Sequence, residues 1–245
     1  MNASVIRTGR AILDGVSAEC QAGTFTALCG PNGAGKTTAL RVMTGSLKPD
    51  QGEARIDDER VQKIERGDLA RRRAVVSQAS ALNFPFQVYE VVTMGRAPHF
   101  GTPWQRFDEK VVSQAMQAMD VFDLAERNYL TLSGGERKRV DIARALAQVW
   151  DAPDNERSRW LFLDEPTGAL DLKHQIKLMQ RLTDLASGGI GIVAVLHDLH
   201  LVQQYADRVW LFNSGKLIEN GAARSVLTPN KIQHTFDLDA PFSLD

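Results

Sequence analysis

The amino-acid sequence predicts an α/β fold in which helices cover both faces of a mostly parallel sheet. Two apolar runs, Trp160–Leu163 and Ile190–Leu196, have the length and composition of strands that are buried on both faces. A third run, Phe25–Cys29, leads through a glycine-rich loop into a helical pattern that begins at Lys36. Strands that alternate with helical patterns in this way are typical of parallel sheets. A helical insertion is expected over roughly residues 80–145.

Two antiparallel elements are expected at the ends of the chain. Near the N-terminus, apolar residues alternate with polar ones after a turn predicted at Asp14–Gly15, which favours a small antiparallel β subdomain. Near the C-terminus, the apolar stretches Val209–Phe212 and Leu217–Ile218 flank the turn residues Asn213–Lys216. This arrangement predicts a β-hairpin.

Helical periodicity and one shorter apolar run account for the rest of the predicted core. The first helix should end near Gly45, and Ala74–Val76 is a further strand candidate. Apolar residues recur at helical spacing between Val111 and Met119, where they indicate core packing. A second helix is expected from Arg137 to Trp150, because Ser133 and Glu136 form the S-x-x-E capping pattern in front of it.

Length and charge limit the classes of protein that the chain can belong to. We expect the 245 residues to form a single α/β domain, 1–245, and the net charge of −1 argues against a nucleic-acid binder held by a positive field. Cys20 and Cys29 stand in apolar surroundings and are expected to be buried thiols. There is no signal-peptide pattern and no membrane-length apolar run. The prediction is a cytosolic protein that meets a membrane only through a partner.

The glycine-rich loop carries the clearest chemical signal. Its spacing is that of a phosphate-binding P-loop, and its residues are Gly30, Pro31, Asn32, Gly33, Ala34, Gly35, Lys36 and Thr37. Glycines let successive backbone N–H groups converge on phosphate oxygens at the positive end of the following helix. Lys36 supplies a charge for the β- and γ-phosphates, and the Thr37 hydroxyl is a ligand for Mg²⁺. The strand before the loop and the helix after it support an ATP site.

A pair of acids completes the predicted hydrolytic site. Asp164 ends the buried run that begins at Trp160, at the edge of the sheet where α/β proteins bind ligands. We expect it to orient Mg²⁺. Glu165 follows directly and is the candidate base for the attacking water, although a solvated loop acid would look the same in the sequence.

The N-terminus of a second predicted helix is also suited to binding an anion. Ser133 and the two glycines that follow it, Gly134 and Gly135, expose the first N–H groups of the predicted helix. Alone, a capping pattern is usually no more than a cap. Beside a P-loop it indicates a second phosphate-directed segment.

Together these motifs resemble those of the ATPase subunits of ATP-binding-cassette (ABC) transporters, and the resemblance covers nearly the whole chain. The ordered set is Gly30–Thr38, Gln78, Leu132–Glu136, Leu161–Glu165, Gly168–Asp171 and His197. The resemblance implies a RecA-like P-loop NTPase core with an N-terminal antiparallel β subdomain and a helical insertion subdomain. It also implies a head-to-tail homodimer in which each phosphate loop faces the Ser133–Gly135 segment of the other copy.

The resemblance assigns roles to further residues. Thr38 joins the nucleotide-binding residues, and Gln78 reaches Mg²⁺ and the attacking water. His197 contacts the γ-phosphate and supports Glu165, so that Glu165, His197 and Lys36 are the expected catalytic residues. Asp171 links the two sites across the dimer.

Two positions depart from the family pattern. Gly168 stands where serine is more common, so a hydrogen bond is missing there. The N-terminal segment lacks the usual aromatic residue that stacks on adenine, and Arg7 is the substitute that the sequence offers.

The same resemblance narrows the biological role to import. The segment from Phe84 to His99 is similar to importers of iron-siderophore, haem and vitamin B12 type, and the long polar connection at 147–159 is most like the haem importer ATPases. This implies two transmembrane permease subunits, a periplasmic haem-binding protein that acts indirectly, and a place on the cytoplasmic face of a bacterial inner membrane. Leu82, Phe84 and Phe86 are expected either to seat a permease helix or to pack in the core.

Three alternatives stay open. A ferric-siderophore or vitamin B12 importer would use the same ATPase, because partner proteins choose the cargo. A non-transport ABC ATPase acting on nucleic acid fits less well, since such relatives typically carry coiled-coil insertions or two cassettes. A kinase or GTPase has no use for the Leu132–Glu136 segment.

Overall fold

The computed structural model describes residues 1–77, 82–150 and 157–239. The strands are β1 (Asn2–Arg7), β2 (Arg10–Ser17), β3 (Phe25–Cys29), β4 (Gln51–Glu53), β5 (Arg55–Ile56), β6 (Glu59–Arg60), β7 (Arg73–Val76), β8 (Arg159–Asp164), β9 (Ile190–Val195), β10 (Arg208–Asn213) and β11 (Lys216–Ala222). The α-helices are α1 (Lys36–Met43), α2 (Arg66–Arg72), α3 (Val88–Thr93), α4 (Asp108–Ala118), α5 (Gly134–Val149), α6 (Leu172–Ser187), α7 (Leu199–Tyr205), α8 (Ala223–Val226) and α9 (Pro229–Phe236). Short 3₁₀ helices cover Met94–His99, Pro103–Phe107, Phe122–Leu124 and Tyr129–Thr131.

The central sheet has the strand order β11-β10-β3-β9-β8-β7. All neighbouring pairs are parallel except β10 with β11, which form the predicted C-terminal hairpin. The predicted α/β class with a mostly parallel sheet is therefore confirmed. Because the carboxyl ends of β3, β9, β8 and β7 meet at one edge, the loops that follow these strands also lie side by side.

Both faces of the sheet are buried, as the unbroken apolar runs predict. Along β8, Leu161 and Leu163 face one core cluster, whereas Trp160 and Phe162 face the other. The first cluster packs beneath α5, α6 and the neighbouring helices, and the second beneath α1 and the N-terminal strands. The alternation follows from the two-residue period of a strand.

The N-terminal antiparallel sheet has the order β2-β1-β4, but the predicted turn at Asp14–Gly15 is wrong. The chain reverses at Thr8–Gly9, and Asp14–Gly15 lies inside β2. Ala3 pairs with Val16 and Val5 with Leu13, so two residues of β2 stand opposite one residue of β1. This is a β-bulge, in which Gly15 takes the positive φ that a turn would also require.

Helix α5 starts earlier than the sequence predicted, at Gly134 rather than Arg137, and ends at Val149 rather than Trp150. The earlier start follows from the capping box itself. Ser133 is the N-cap, its hydroxyl accepts from the Glu136 N–H, and the Glu136 carboxylate accepts from the Ser133 N–H. The two glycines therefore form the first turn of the helix.

Several further expectations concern the surface and the thiols. Phe84 is 62% exposed, while Leu82 and Phe86 are partly buried against the core, so core packing accounts for Leu82 and Phe86 and leaves Phe84 available on the surface. Cys29 is buried as expected, whereas Cys20 is only partly buried; burial raises the pKa of both thiols to about 12, and both are free. No helix in the described ranges is long and apolar enough to span a bilayer. Residues 151–156 of the expected polar connection at 147–159, and residues 80–81 at the start of the expected insertion, lie outside the described residues.

A glycine in the central sheet gives a test of core packing. Gly191 of β9 pairs with Trp160 of β8, and a Cβ at Gly191 would lie 2.3 Å from the indole ring. Because the ring is buried, we expect Gly191→Ala to lower the free energy of unfolding by about 1–3 kcal/mol. Urea denaturation measures this change in the free energy of unfolding. Gly67→Ala in α2 is the control, since only the ends of the flexible Glu65 and Arg71 side chains lie close, and it should change stability by less than about 1 kcal/mol. Equal stability of the two variants would contradict the packing argument.

Candidate nucleotide site

The glycine-rich loop is shaped by close contact with neighbouring main chain. Gly30 has φ 141°, and a Cβ there would lie 2.1 Å from the Phe212 carbonyl oxygen of β10. Gly35 has φ 99°, and a Cβ there would lie 2.8 Å from the Ile12 carbonyl oxygen. No other residue type fits either position, because both the space and the dihedral angle exclude a side chain. The loop therefore leads directly into the N-terminus of α1, and within it the Ala34 N–H donates to the Pro31 carbonyl oxygen over 3.2 Å.

Lys36 folds back over this loop. Its Nζ donates to the carbonyl oxygens of Gly30 at 2.7 Å and Pro31 at 2.8 Å, and the residue is only 6% exposed. Burial lowers the pKa of Lys36, whereas the nearby Asp164 and Glu165 oppose that shift. The ammonium thus lies at the mouth of the loop, where it can exchange carbonyl partners for phosphate oxygens.

Thr37 and Asp164 meet although 127 positions separate them in the chain. The Thr37 hydroxyl donates to Oδ1 of Asp164 over 3.1 Å. Burial raises the pKa of Asp164, and the hydrogen bond from Thr37 counteracts that rise. A hydroxyl and a carboxylate side by side are oxygen ligands of the kind that Mg²⁺ prefers, so the residues present fit the ion.

Glu165 and His197 form the next pair along the sheet edge. His197 Nε2 lies 2.9 Å from Oε1 of Glu165, and both side chains are partly exposed to solvent. Glu165 follows β8 and has φ 51°, with its N–H bonded to the Val195 carbonyl of β9. Because β8 and β9 are neighbours, the residues after them come within hydrogen-bonding distance. The geometry gives a carboxylate held by an imidazole and open to water.

The Ser133–Gly135 segment lies beside another loop of its own chain. A Cβ at Gly134 or Gly135 would contact Ala169 or Leu170. In the part of the chain that the structure describes, the hydrogen bonds of Ser133 are with α5 and none joins it to residues 30–37. Its helix terminus is therefore capped locally, and it does not complete the phosphate site of its own chain.

Asp171 is the N-cap of α6 and is largely exposed. Its Oδ1 accepts from the His174 backbone N–H at 2.9 Å and lies 2.7 Å from His174 Nδ1. These hydrogen bonds hold the pKa of Asp171 below its usual value. The loop that leads to Asp171 is fixed by Gln175, whose Nε2 donates to the carbonyls of Thr167 and Leu170.

The remaining predicted residues are placed as follows. Asn32 and Gly33 are exposed at the tip of the loop, Ala34 is buried within it, and Thr38 is half-buried in the first turn of α1. Gln78 lies outside the described residues. Arg7, the expected substitute for an adenine-stacking aromatic residue, is paired with Asp50 at 3.3 Å.

One side chain near the site escaped the sequence reasoning. Lys138, in the second turn of α5, points its Nζ at the main-chain carbonyl oxygen of Asp164 from 3.5 Å. The only signal in the sequence was a lysine shortly after the capping box, which is also typical of a solvated helix face. Its contact with β8 depends on how the helix packs on the sheet.

Comparison with known proteins agrees with this geometry. The family described as ABC transporter matches residues 13–168. A hemin import ATP-binding protein HmuV from Hahella chejuensis is 43% identical over 97% of this chain and 91% of its own length. The HmuV of Gloeobacter violaceus is 45% identical over 94% of this chain and 83% of its own. The dimeric structure of MJ0796, a bacterial ABC transporter cassette, aligns with a TM-score of 0.76 at 27% identity, covering 91% of this chain and 96% of that one.

The loop, the acids at the sheet edge and the capped helix start thus occur in a chain whose sequence matches one family over more than half its length. The chain belongs to the ABC transporter family.

Proposed function

We propose that this chain is the ATP-binding and ATP-hydrolysing subunit that powers a membrane importer of haem. The observation that carries the hydrolytic part is the row of groups at the sheet edge: Lys36 over the phosphate loop, Thr37 bonded to Asp164, and Glu165 bonded to His197. Together they offer groups for binding phosphates, holding a divalent cation and accepting a proton from water.

The proposed chemistry divides among these residues. The loop N–H groups and Lys36 bind the β- and γ-phosphates, and Glu165 accepts a proton from the attacking water while His197 keeps the carboxylate oriented. Thr37 and Asp164 hold Mg²⁺, which when bound neutralises charge on the phosphates. With Gln78 they form the proposed metal-binding set.

A second copy of the chain completes each site in this proposal. Ser133, Gly134 and Gly135 present a capped helix terminus that does not reach the phosphate loop of its own chain. In a head-to-tail homodimer, that terminus covers the γ-phosphate bound by the partner subunit. The dimeric cassette of similar fold supports this arrangement, and Asp171 then lies where the two sites approach each other.

The cargo and the location follow from the relatives. Proteins named for hemin import match nearly the full chain at 43% and 45% identity, which favours haem over ferric siderophores or vitamin B12. Two permease subunits would bind the chain at the exposed Phe84. The chain would then lie on the cytoplasmic face of the inner membrane. A periplasmic haem-binding protein would act on it only indirectly, through the permease subunits. No contact with nucleic acid is needed.

Lys36→Ala tests the phosphate loop. Because the ammonium makes charge-assisted bonds worth about 1.5–3 kcal/mol each, we expect the affinity for ATP to fall at least about 10-fold. Titration calorimetry measures the loss, with Lys110→Ala as a control outside the site. Binding of ATP at wild-type affinity would show that the loop is not the nucleotide site.

Glu165→Gln tests the base. The amide keeps the shape of the side chain but takes up a proton poorly, so we expect kcat to fall about 100-fold or more while ATP still binds. Light scattering should then show an ATP-dependent dimer that persists. Turnover near the wild-type rate would remove Glu165 from the proposed role.

The transport proposal is tested with the chain and its cognate permease in lipid vesicles. We expect ATP-dependent entry of haem, and no entry of a ferric siderophore. In this system Phe84→Ser should lower haem entry several-fold while the isolated chain hydrolyses ATP normally, because an exposed residue contributes little to the core. Uptake of the siderophore alone would contradict haem as the cargo. Unchanged haem entry with Phe84→Ser would contradict the proposed contact between Phe84 and the permease.

A further inference from the structure

The start of α5 and the loop that follows Glu165 are packed together within one chain. A Cβ at Gly135 would lie 3.0 Å from Cδ2 of Leu170 and 3.5 Å from the carbonyl oxygen of Ala169. At Gly134 it would lie 3.6 Å from the Ala169 Cβ. A side chain at Gly135 would therefore crowd Leu170, whereas one at Gly134 would make ordinary contact with Ala169, so the helix start approaches the loop most closely at Gly135.

That loop has little freedom of its own. The Gly168 N–H donates to the Glu165 carbonyl at 3.3 Å, and Gln175 of α6 holds the carbonyls of Thr167 and Leu170. Ala169 has a positive φ of 64°, which is an uncommon backbone conformation for alanine. A shift of α5 would therefore be passed on to the loop rather than absorbed by it.

Lys138 adds a direct contact between the helix and the catalytic strand. It lies about one turn after Ser133, and its Nζ is 3.5 Å from the Asp164 carbonyl oxygen, at the long end of the hydrogen-bond range. Burial lowers the pKa of Lys138, while Asp141, Asp164 and Glu165 favour its charged form. One donor of the ammonium is thus directed at the peptide that joins the two proposed catalytic acids.

We propose that Lys138 is a positioning residue that ties the Asp164–Glu165 peptide to α5 and thereby couples the two hydrolysis sites of the dimer. This inference rests on the proposed dimer. When the partner's ATP draws the Ser133 end of α5 towards itself, Lys138 and the packed glycines transmit the movement to the acids of their own chain. A displacement of about 1 Å is enough to change the rate of a positioned reaction by up to 100-fold.

A purely structural role for Lys138 is the competing explanation. Under that explanation, removing the ammonium lowers stability and leaves the communication between sites intact. The two explanations differ in the cooperativity of hydrolysis, which reports coupling between sites and not the stability of either.

The test compares three substitutions of Lys138 in the full-length chain. Lys138→Met removes the donor and keeps the length of the side chain, Lys138→Gln keeps a donor without the charge, and Lys138→Arg keeps both. Lys177→Met is the matched control, because this half-exposed lysine of α6 makes a 3.5 Å contact with Asp120 away from the site. The measurements are kcat, KM for ATP, the Hill coefficient and the melting temperature.

For Lys138→Met we expect kcat to fall about 10-fold with KM nearly unchanged, and the Hill coefficient to fall from about 2 towards 1. Lys138→Arg and Lys138→Gln should restore most of the cooperativity, since both can donate to the Asp164 carbonyl. Lys177→Met should behave like the wild type.

Two results would overturn the proposal. One is wild-type cooperativity in Lys138→Met, whatever its melting temperature. The other is a loss that neither Lys138→Gln nor Lys138→Arg restores while both remain folded. The Glu165→Gln variant distinguishes a failure of the Lys138 proposal from a failure of the proposed dimer. If ATP does not trap a dimer of that variant, the proposed function has failed; if ATP does trap one, a negative result counts against the role of Lys138 alone.

Discussion

The rest of the nucleotide site depends on how closely the phosphate loop approaches the neighbouring main chain. Gly30 lies against the Phe212 carbonyl of β10 and Gly35 against the Ile12 carbonyl of β2, with no space for a side chain at either position. The turn between β10 and β11 adds a hydrogen bond from the Gly215 N–H to the Ala34 carbonyl. These contacts fix the path of the loop backbone between β3 and α1.

Strand order then decides which side chains lie next to the loop. β3 pairs with β9 and β9 with β8, so the phosphate loop, His197 and the acids Asp164 and Glu165 stand in a row at one edge. The row accounts for the Thr37–Asp164 and Glu165–His197 hydrogen bonds between residues far apart in the chain. It also gathers opposite charges, since the charges of Asp164 and Glu165 oppose the lowering of the Lys36 pKa by burial.

Near the same edge of the sheet, the Ser133–Gly135 helix start has no hydrogen bond to residues 30–37 in the part of the chain that the structure describes. The Ser133 hydroxyl caps the Glu136 N–H at this helix start, and a Cβ at Gly134 or Gly135 would contact Ala169 or Leu170 of the loop that follows Glu165. That position suits the proposed dimer with shared sites, because the acids and the helix start of one copy then lie close together. Lys138 spans the short distance between these two parts.

Features whose cause lies within a few residues could be predicted from the sequence. The strand–loop–helix unit around Gly30–Thr37, the capping box at Ser133 and Glu136, and the apolar runs of β8 and β9 each carry their physical reason locally, as spacing, capping or burial on both faces. Even so, the local pattern at Asp14–Gly15 gave a wrong prediction of a turn, because a β-bulge and a tight turn require the same positive φ at the glycine.

Relations between distant segments could only come from the folded chain. No local pattern specifies that the Thr37 hydroxyl lies 3.1 Å from Asp164, that Asp14–Gly15 is opposed by a single residue of β1, or that Lys138 reaches β8. Each depends on which strand lies beside which and how a helix lies across them, and packing of the whole core decides that. By itself the sequence therefore determined the parts of an ATP site, and the tertiary structure decided which of them lie together within the chain and which lie apart.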